Sequence, residues 1–220
     1  MLRGTFQEVG GARHYLVKPE TTSAKAVVLI HEWWGLTDQM KSLAEQYAKE
    51  GYLALAVDLF DGKSTQDPNV AAQWMASCDP KRALTKLRDA LLWLQDGPLK
   101  IPRVATIGWC FGGGFSLKCA LEMPELVQAG VIFYGLVETD EKKLKKCTVP
   151  LLGIFAEKDS WITPAKFRGF ERACREAGVS LEMHVYDAEH AFHNPKNPQH
   201  QAMDALDADK KVFEFLRKTL

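Results

Sequence analysis

Ile107-Gly108-Trp109-Cys110-Phe111-Gly112-Gly113-Gly114 is the stretch on which the reading of this chain turns. Val104-Ala105-Thr106 precedes it as a short apolar, β-branched run of the kind found in a buried parallel strand. The residues after it, to about Met123, read as a helix. A strand, a reactive side chain flanked by glycines and a helix match the nucleophile-elbow pattern G-x-S-x-G, with cysteine in the serine position. Glycine is needed there for steric reasons: a nucleophile on so sharp a turn has a strained backbone, and neighbouring side chains would collide. Gly108 and Gly112 relieve those collisions, while Gly113 and Gly114 let the helix approach the sheet. The helix also aims its partial positive charge at the thiol, which favours thiolate. The competing reading is a glycine-rich turn with a buried cysteine. A phosphate loop is disfavoured, because no Lys-Ser/Thr pair follows the glycines.

Outward from this turn, strand-like and helix-like patterns alternate along the chain. Val27-Val28-Leu29-Ile30 reads as a buried strand, and Leu36, Met40, Leu43 and Tyr47 then recur at helical spacing until Gly51. Residues 52–57 form the next strand; 71–76 and the Leu84, Leu87, Leu91, Leu94 series are helices, the second closed by Gly97-Pro98. Residues 131–134 and 151–155 are two further strands. Thr163-Pro164 starts a helix with Thr as cap and Gly178 ends it; 181–186 is a strand, and Leu206, Phe213, Leu216 and Leu220 mark the last helix. This alternation predicts a mostly parallel sheet with helices on both faces, to which the N-terminal segment, including residues 13–17, can add an antiparallel edge strand. At 220 residues without repeats or low-complexity linkers, residues 1–220 are expected to form one domain.

Lys and Arg number 28, as do Asp and Glu, so the formal charge is zero and there is no basic excess to support a nucleic-acid surface. No run reaches the ~18 apolar residues of a membrane span, and residues 1–8 lack the apolar core of a secretory signal. The expectation is a cytoplasmic protein. The five cysteines (Cys78, Cys110, Cys119, Cys147, Cys174) are odd in number and form no close pairs suited to zinc or dithiol chemistry. Cys174 shares a helical face with Phe167 and Phe170, and Cys119 lies on the helix after the elbow; both read as packing.

An elbow calls for an acid after a later strand and a histidine near the C-terminus, in the order nucleophile, acid, base. Asp159 follows the strand 151–155 and His190 follows the strand 181–186, both at carboxyl ends, where parallel sheets place their sites. His190 would move the proton; Asp159 would hold its tautomer and stabilise the imidazolium. Glu157 and His193 are the neighbouring alternatives, disfavoured by their spacing from the strand ends.

With Gly108-Trp109-Cys110-Phe111-Gly112-Gly113, the Asp159 turn, His190-Ala191-Phe192 and His31-Glu32-Trp33-Trp34-Gly35 in view, the chain resembles the dienelactone hydrolase family of α/β-hydrolases over roughly residues 13–216. The resemblance implies an α/β-hydrolase fold and a carboxylic-ester hydrolase acting on a small-molecule ester or lactone. It further implies Cys110, His190 and Asp159 as triad, with Glu32 beside the resting thiol. The backbone N–H groups of Trp33 and Phe111 would form the oxyanion hole, and Trp34, Trp74, Tyr134 and Trp161 (with Trp33) would wall the pocket. No cofactor or metal is required, and a monomer is the default. Glu32 has two physical roles open to it: accepting or repelling charge at the thiol, or bonding to loop amides. His31 reads as a loop-orienting residue.

A thiolate leaves a tetrahedral intermediate more readily than an alkoxide does, so productive collapse favours an enolate, phenolate or thiolate leaving group. That points to an enol-lactone or activated ester, with a broader carboxylesterase or thioesterase as runner-up. Dienelactone hydrolases that act on dienelactone hold its carboxylate with arginines, one of them soon after the catalytic histidine. Here residues 190–195 carry none, nor does the connection 63–76, where Lys63 is the available cation. A cysteine redox sensor and an inactive binding scaffold are the readings from other classes; neither calls for the Asp159–His190 pair.

Overall fold

In the computed structural model, which describes residues 2–220, the strands are β1 (Thr5–Val9), β2 (Ala12–Val17), β3 (Lys25–Ile30), β4 (Leu53–Val57), β5 (Arg103–Trp109), β6 (Ala129–Phe133), β7 (Leu151–Ala156) and β8 (Leu181–Tyr186). The helices are α1 (Asp38–Lys49), α2 (Pro68–Ser77), α3 (Pro80–Asp96), α4 (Phe111–Glu122), α5 (Glu141–Leu144), α6 (Pro164–Ala177) and α7 (Ala202–Thr219). They build a single sheet in the order β1-β2-β4-β3-β5-β6-β7-β8, with β3 to β8 parallel and β1 and β2 antiparallel.

The period of two in each strand divides the core between the faces of the sheet. Val28, Ile30, Leu55 and Val57 point to one side, into a core shared with Leu87 and Leu91 of α3, Leu117 of α4 and Phe167 and Phe170 of α6. Val27, Leu29, Ala54 and Ala56 point to the other, against Met40, Leu43 and Tyr47 of α1 and Val212, Phe213 and Leu216 of α7. Being covered on both faces, β4, β6 and β7 are buried throughout, which is why they read as unbroken apolar runs. Each such side chain stabilises the fold by roughly 1.5–3 kcal/mol when fully buried.

Two expectations need correction. Residues 13–17 lie in β2, which is internal: β1 pairs with it from Thr5↔Leu16 to Val9↔Ala12 and takes the edge. The strand β1 went unread because its residues are mostly exposed, with Phe6 held on the surface by Arg13 and Tyr15. Thr163 stands at the N-cap of α6 as expected, but its side chain makes no capping hydrogen bond; Pro164 and the backbone carbonyl start the helix.

After β3 the chain moves through α1 to β4 on one side, then returns to place β5 on the other. The strand order therefore reverses between β3 and β5. That crevice, at the carboxyl ends of the strands, receives the loop after β3 and the turn after β5. Among the described residues no helix is long and apolar enough to cross a membrane.

Candidate active site

Cys110 sits between β5 and α4 with φ 53 and ψ −114, a conformation that costs a non-glycine residue on the order of 1–3 kcal/mol. The surrounding packing enforces it. A Cβ on Gly108 would stand 2.7 Å from the Gly113 nitrogen and closer still to the Gly112 carbonyl. One on Gly112 would press on the end of β3, 2.6 Å from the Ile30 carbonyl carbon and 2.7 Å from the His31 oxygen. The turn thus holds the sulfur at the N-terminus of α4, nearly buried but open to a cavity.

His190 and Asp159 meet beside it. The imidazole Nδ1 lies 2.6 Å from Asp159 Oδ2, while Asp159 Oδ1 accepts from the backbone N–H groups of Trp161 (2.7 Å) and Ile162 (2.9 Å). The carboxylate is buried. Burial works to raise its pKa, but His190 and the two amides outweigh that and hold it below the usual carboxylate value. For His190 burial works to lower the pKa, yet the Asp159 hydrogen bond and the nearby Cys110 raise it to about 10. The Nε2 atom is buried beside Cys110 and completes no hydrogen bond of good geometry with it or with any other described group. Such bonds are often long before substrate arrives.

The neighbouring alternatives are occupied elsewhere. Glu157 forms an exposed ion pair with Arg168, its oxygens 2.7 and 2.9 Å from Nη2. His193 pairs with Asp209 at 2.8 Å and packs against Trp109 and Phe133.

The loop 31–35 is fixed by its first two side chains. His31 is buried; Nε2 accepts from the Leu59 N–H at 3.1 Å, so Nδ1 carries the proton and donates to the Glu32 carbonyl at 2.5 Å. The Glu32 carboxylate is also buried, and both of its oxygens are taken: Tyr134 Oη donates to Oε1 at 3.4 Å and Asn194 Nδ2 to Oε2 at 2.5 Å. Burial raises its pKa, only partly offset by Asn194 and the two histidines. No hydrogen bond joins Glu32 to the Cys110 thiol among the described residues, so the carboxylate ties its loop to Tyr134 and Asn194. The signal for Asn194 was missed, because an asparagine four residues past a histidine has no meaning without the fold. No protein acceptor engages the backbone N–H of Trp33 or Phe111 among the described residues.

Cys110, His190, Phe111, Tyr134 and Trp161 line a cavity of about 720 Å³. Trp161 forms one rim, packed against His190 (5.6 Å) and Trp33 (5.4 Å). Trp33, Trp34 and Trp74, expected as walls, do not line this cavity. Trp34 stacks edge-on against Trp33, away from the cavity, and Trp74 packs on Phe60 and the core. Lys63 faces a separate, smaller depression. Unforeseen walls come from Met75, Leu117, Leu121, Leu136 and Val137, supplied by α2, α4 and the loop after β6. Geometrically the arrangement offers a strained thiol, an imidazole with one nitrogen free and a carboxylate on the other, and two unengaged amides.

The model of the dienelactone hydrolase family matches residues 12–220. A curated relative from Aquifex pyrophilus, Protein usf, is 31% identical over 219 residues, covering 94% of each chain. One from Aquifex aeolicus that bears the name carboxymethylenebutenolidase is 29% identical over 192 residues, 84% of this chain and 83% of its own. A crystal structure from Klebsiella pneumoniae under the dienelactone hydrolase name superposes with a TM-score of 0.87 at 21% identity, covering 98% of this chain and 97% of that one. At that identity the superposition speaks for the fold, which is that of the α/β-hydrolases.

Proposed function

The chain belongs to the dienelactone hydrolase family and is a hydrolase of ester or lactone bonds; on that premise we propose that it cleaves a small enol-lactone or activated ester through a thioester on Cys110. The observation that carries this is the strained Cys110 turn facing, in one cavity, a His190 whose other nitrogen is held by Asp159 at 2.6 Å.

His190 holds the thiol proton as an imidazolium that Asp159 stabilises, leaving Cys110 as the attacking thiolate. The thiolate attacks the carbonyl carbon, and the oxyanion settles against the N–H groups of Trp33 and Phe111. Collapse expels the enolate or phenolate, which takes the proton from His190 and leaves the acyl group as a thioester. His190 then deprotonates water, the hydroxide adds to the thioester, and the thiolate departs as the free acid forms. Glu32 acts through the backbone: it anchors the loop that carries Trp33. We read residues 1–220 as one catalytic unit, a cytoplasmic monomer working without cofactor.

The test compares phenyl and alkyl acetates. Phenyl acetate should turn over repeatedly after a burst of phenolate, alkyl acetates should lag by orders of magnitude in kcat/KM, and Cys110→Ala should end turnover. Equal kcat/KM for the two leaving groups would remove the substrate argument, and an active Cys110→Ala protein would remove the nucleophile. A broader carboxylesterase is the second reading, favoured by a cavity large for a small lactone.

A further inference from the structure

The cavity has a direction. From Cys110 it follows one face of α4, past Gly114 and Phe115 to Lys118 and Leu121. At ~1.5 Å per residue, Lys118 lies about 12 Å along the helix from Cys110. The facing wall is apolar, with Met75, Leu136 and Val137, and Leu136 is 67% exposed although it lies on this cavity. A small lactone beside Cys110 would leave most of this surface wet.

The charges in the cavity are unbalanced. Lys118 is half-buried, its ammonium 5.4 Å from the centre of the Phe115 ring, and it makes no ion pair among the described residues. Lys166 at the rim donates to the Trp161 carbonyl at 2.6 Å and likewise has no carboxylate partner among them. The one carboxylate on the wall, Glu138, is already satisfied: Oε1 accepts from the Thr139 and Asp140 amides, and Oε2 from Lys143 at 2.8 Å. The far end of an apolar groove therefore offers a free cation.

We propose that the substrate's acyl part is an apolar arm of about ten chain atoms, each bond ~1.5 Å, that lies along α4 and ends in a carboxylate at Lys118. The arm belongs to the acyl side because a stabilised enolate or phenolate leaving group is compact. Lys118 thus supplies the cation that residues 63–76 and 190–195 lack as arginine, from a different element and farther from the thiol. The inference rests on the hydrolase reading only in seating the ester carbonyl at Cys110.

Calorimetry on the full chain tests it without requiring turnover. The monoamide of decanedioate should bind about fivefold more tightly than decanamide, as expected for one partly exposed ion pair. Lys118→Met, which keeps the apolar stem, should erase that ratio, and Lys118→Arg should restore it. Equal binding of the two amides, or a ratio unchanged in Lys118→Met, overturns the proposal. In parallel, kcat/KM for phenyl esters should rise from acetate to decanoate and again to the decanedioate monoester. Cleavage that ignores both length and charge overturns the proposal while leaving the hydrolase reading intact. Amide binding as expected without any ester cleavage supports the groove and overturns the hydrolase reading.

Discussion

Replacing Gly112 by alanine should cost activity far more than stability. Gly112 lies in the first turn of α4 with ordinary helical dihedrals, so no conformational penalty attaches to the change. Alanine's better helix propensity even returns about 1 kcal/mol. The obstacle is steric and entirely backbone: the new methyl would press hardest on the Ile30 carbonyl oxygen and stand 2.6 Å from its carbon and 2.7 Å from the His31 oxygen. Ordinary contact requires about 3.4 Å or more, so α4 and the end of β3 must part by about 1 Å. Overpacking of this kind costs ~1–3 kcal/mol, which leaves a net loss of about 0–2 kcal/mol. The same displacement moves Cys110 and Phe111, on α4, relative to Trp33, which follows His31. A 1 Å misplacement of reacting groups can cost on the order of 100-fold. We expect kcat/KM for phenyl acetate to fall about 100-fold in Gly112→Ala while the urea midpoint drops only modestly. Gly169→Ala is the control. Its methyl would meet Thr139 Cγ2 at 3.7 Å, so it should stabilise α6 by ~0.4–1 kcal/mol and leave the kinetics alone. A Gly112→Ala enzyme within threefold of the parent would refute the claim that this contact sets the distance between nucleophile and oxyanion loop.

Asp159→Asn should lower turnover by roughly 10³–10⁴-fold. Because Asp159 helps raise His190 from 6.5 to about 10, that contribution to stability is fully present below pH 6.5 and is lost as pH rises through about 10; the gap in urea midpoint between parent and Asp159→Asn should shrink from pH 6 to pH 10, and a widening gap would contradict the pairing. Glu32→Gln places an amide donor among two donors, Tyr134 and Asn194, and should destabilise by ~1–3 kcal/mol. Alkylation of Cys110 by iodoacetamide should change little in the same variant; a large acceleration would mean that Glu32 restrains the thiol directly. Trp161→Ala should raise KM for phenyl esters, whereas Trp34→Ala should not, since only Trp161 borders the cavity.

What the sequence disclosed follows from how locally each feature is encoded. The turn occupies eight consecutive residues, and the clash that requires Gly108 arises within it, so the strand–turn–helix geometry was legible from the sequence. That Asp159 and His190 lie beside Cys110 was legible because the parallel strands carry their carboxyl ends to one edge, and order along the chain then stands in for position in space. Glu32 was legible as a neighbour of the site but not in its bonding, because Tyr134 and Asn194 lie 102 and 162 residues away. The aromatic walls divided on the same ground. Trp161 sits two residues beyond Asp159, inside the turn that Asp159 holds, whereas Trp74 depends on how α2 lies against Phe60.

Specificity on this scaffold is therefore written in a different register from chemistry. Beyond the elbow, the groove takes its walls from α2, the later turns of α4, the loop after β6 and the start of α6, none of which carries a motif. Lys118 in isolation is one lysine on a helix; it becomes a candidate anchor only because Glu138 is already satisfied by Lys143 and the rest of the wall is apolar. The arginine-free stretch 190–195 is the one sign in the motifs themselves that the anion site has moved. Two chains could share the elbow, the pair Asp159–His190 and the loop 31–35 residue for residue and still hydrolyse esters of different acids, because the arm is read about 12 Å from the bond that breaks. A substitution at position 118 would then alter which acid is released without touching the rate of the chemical step on a short ester.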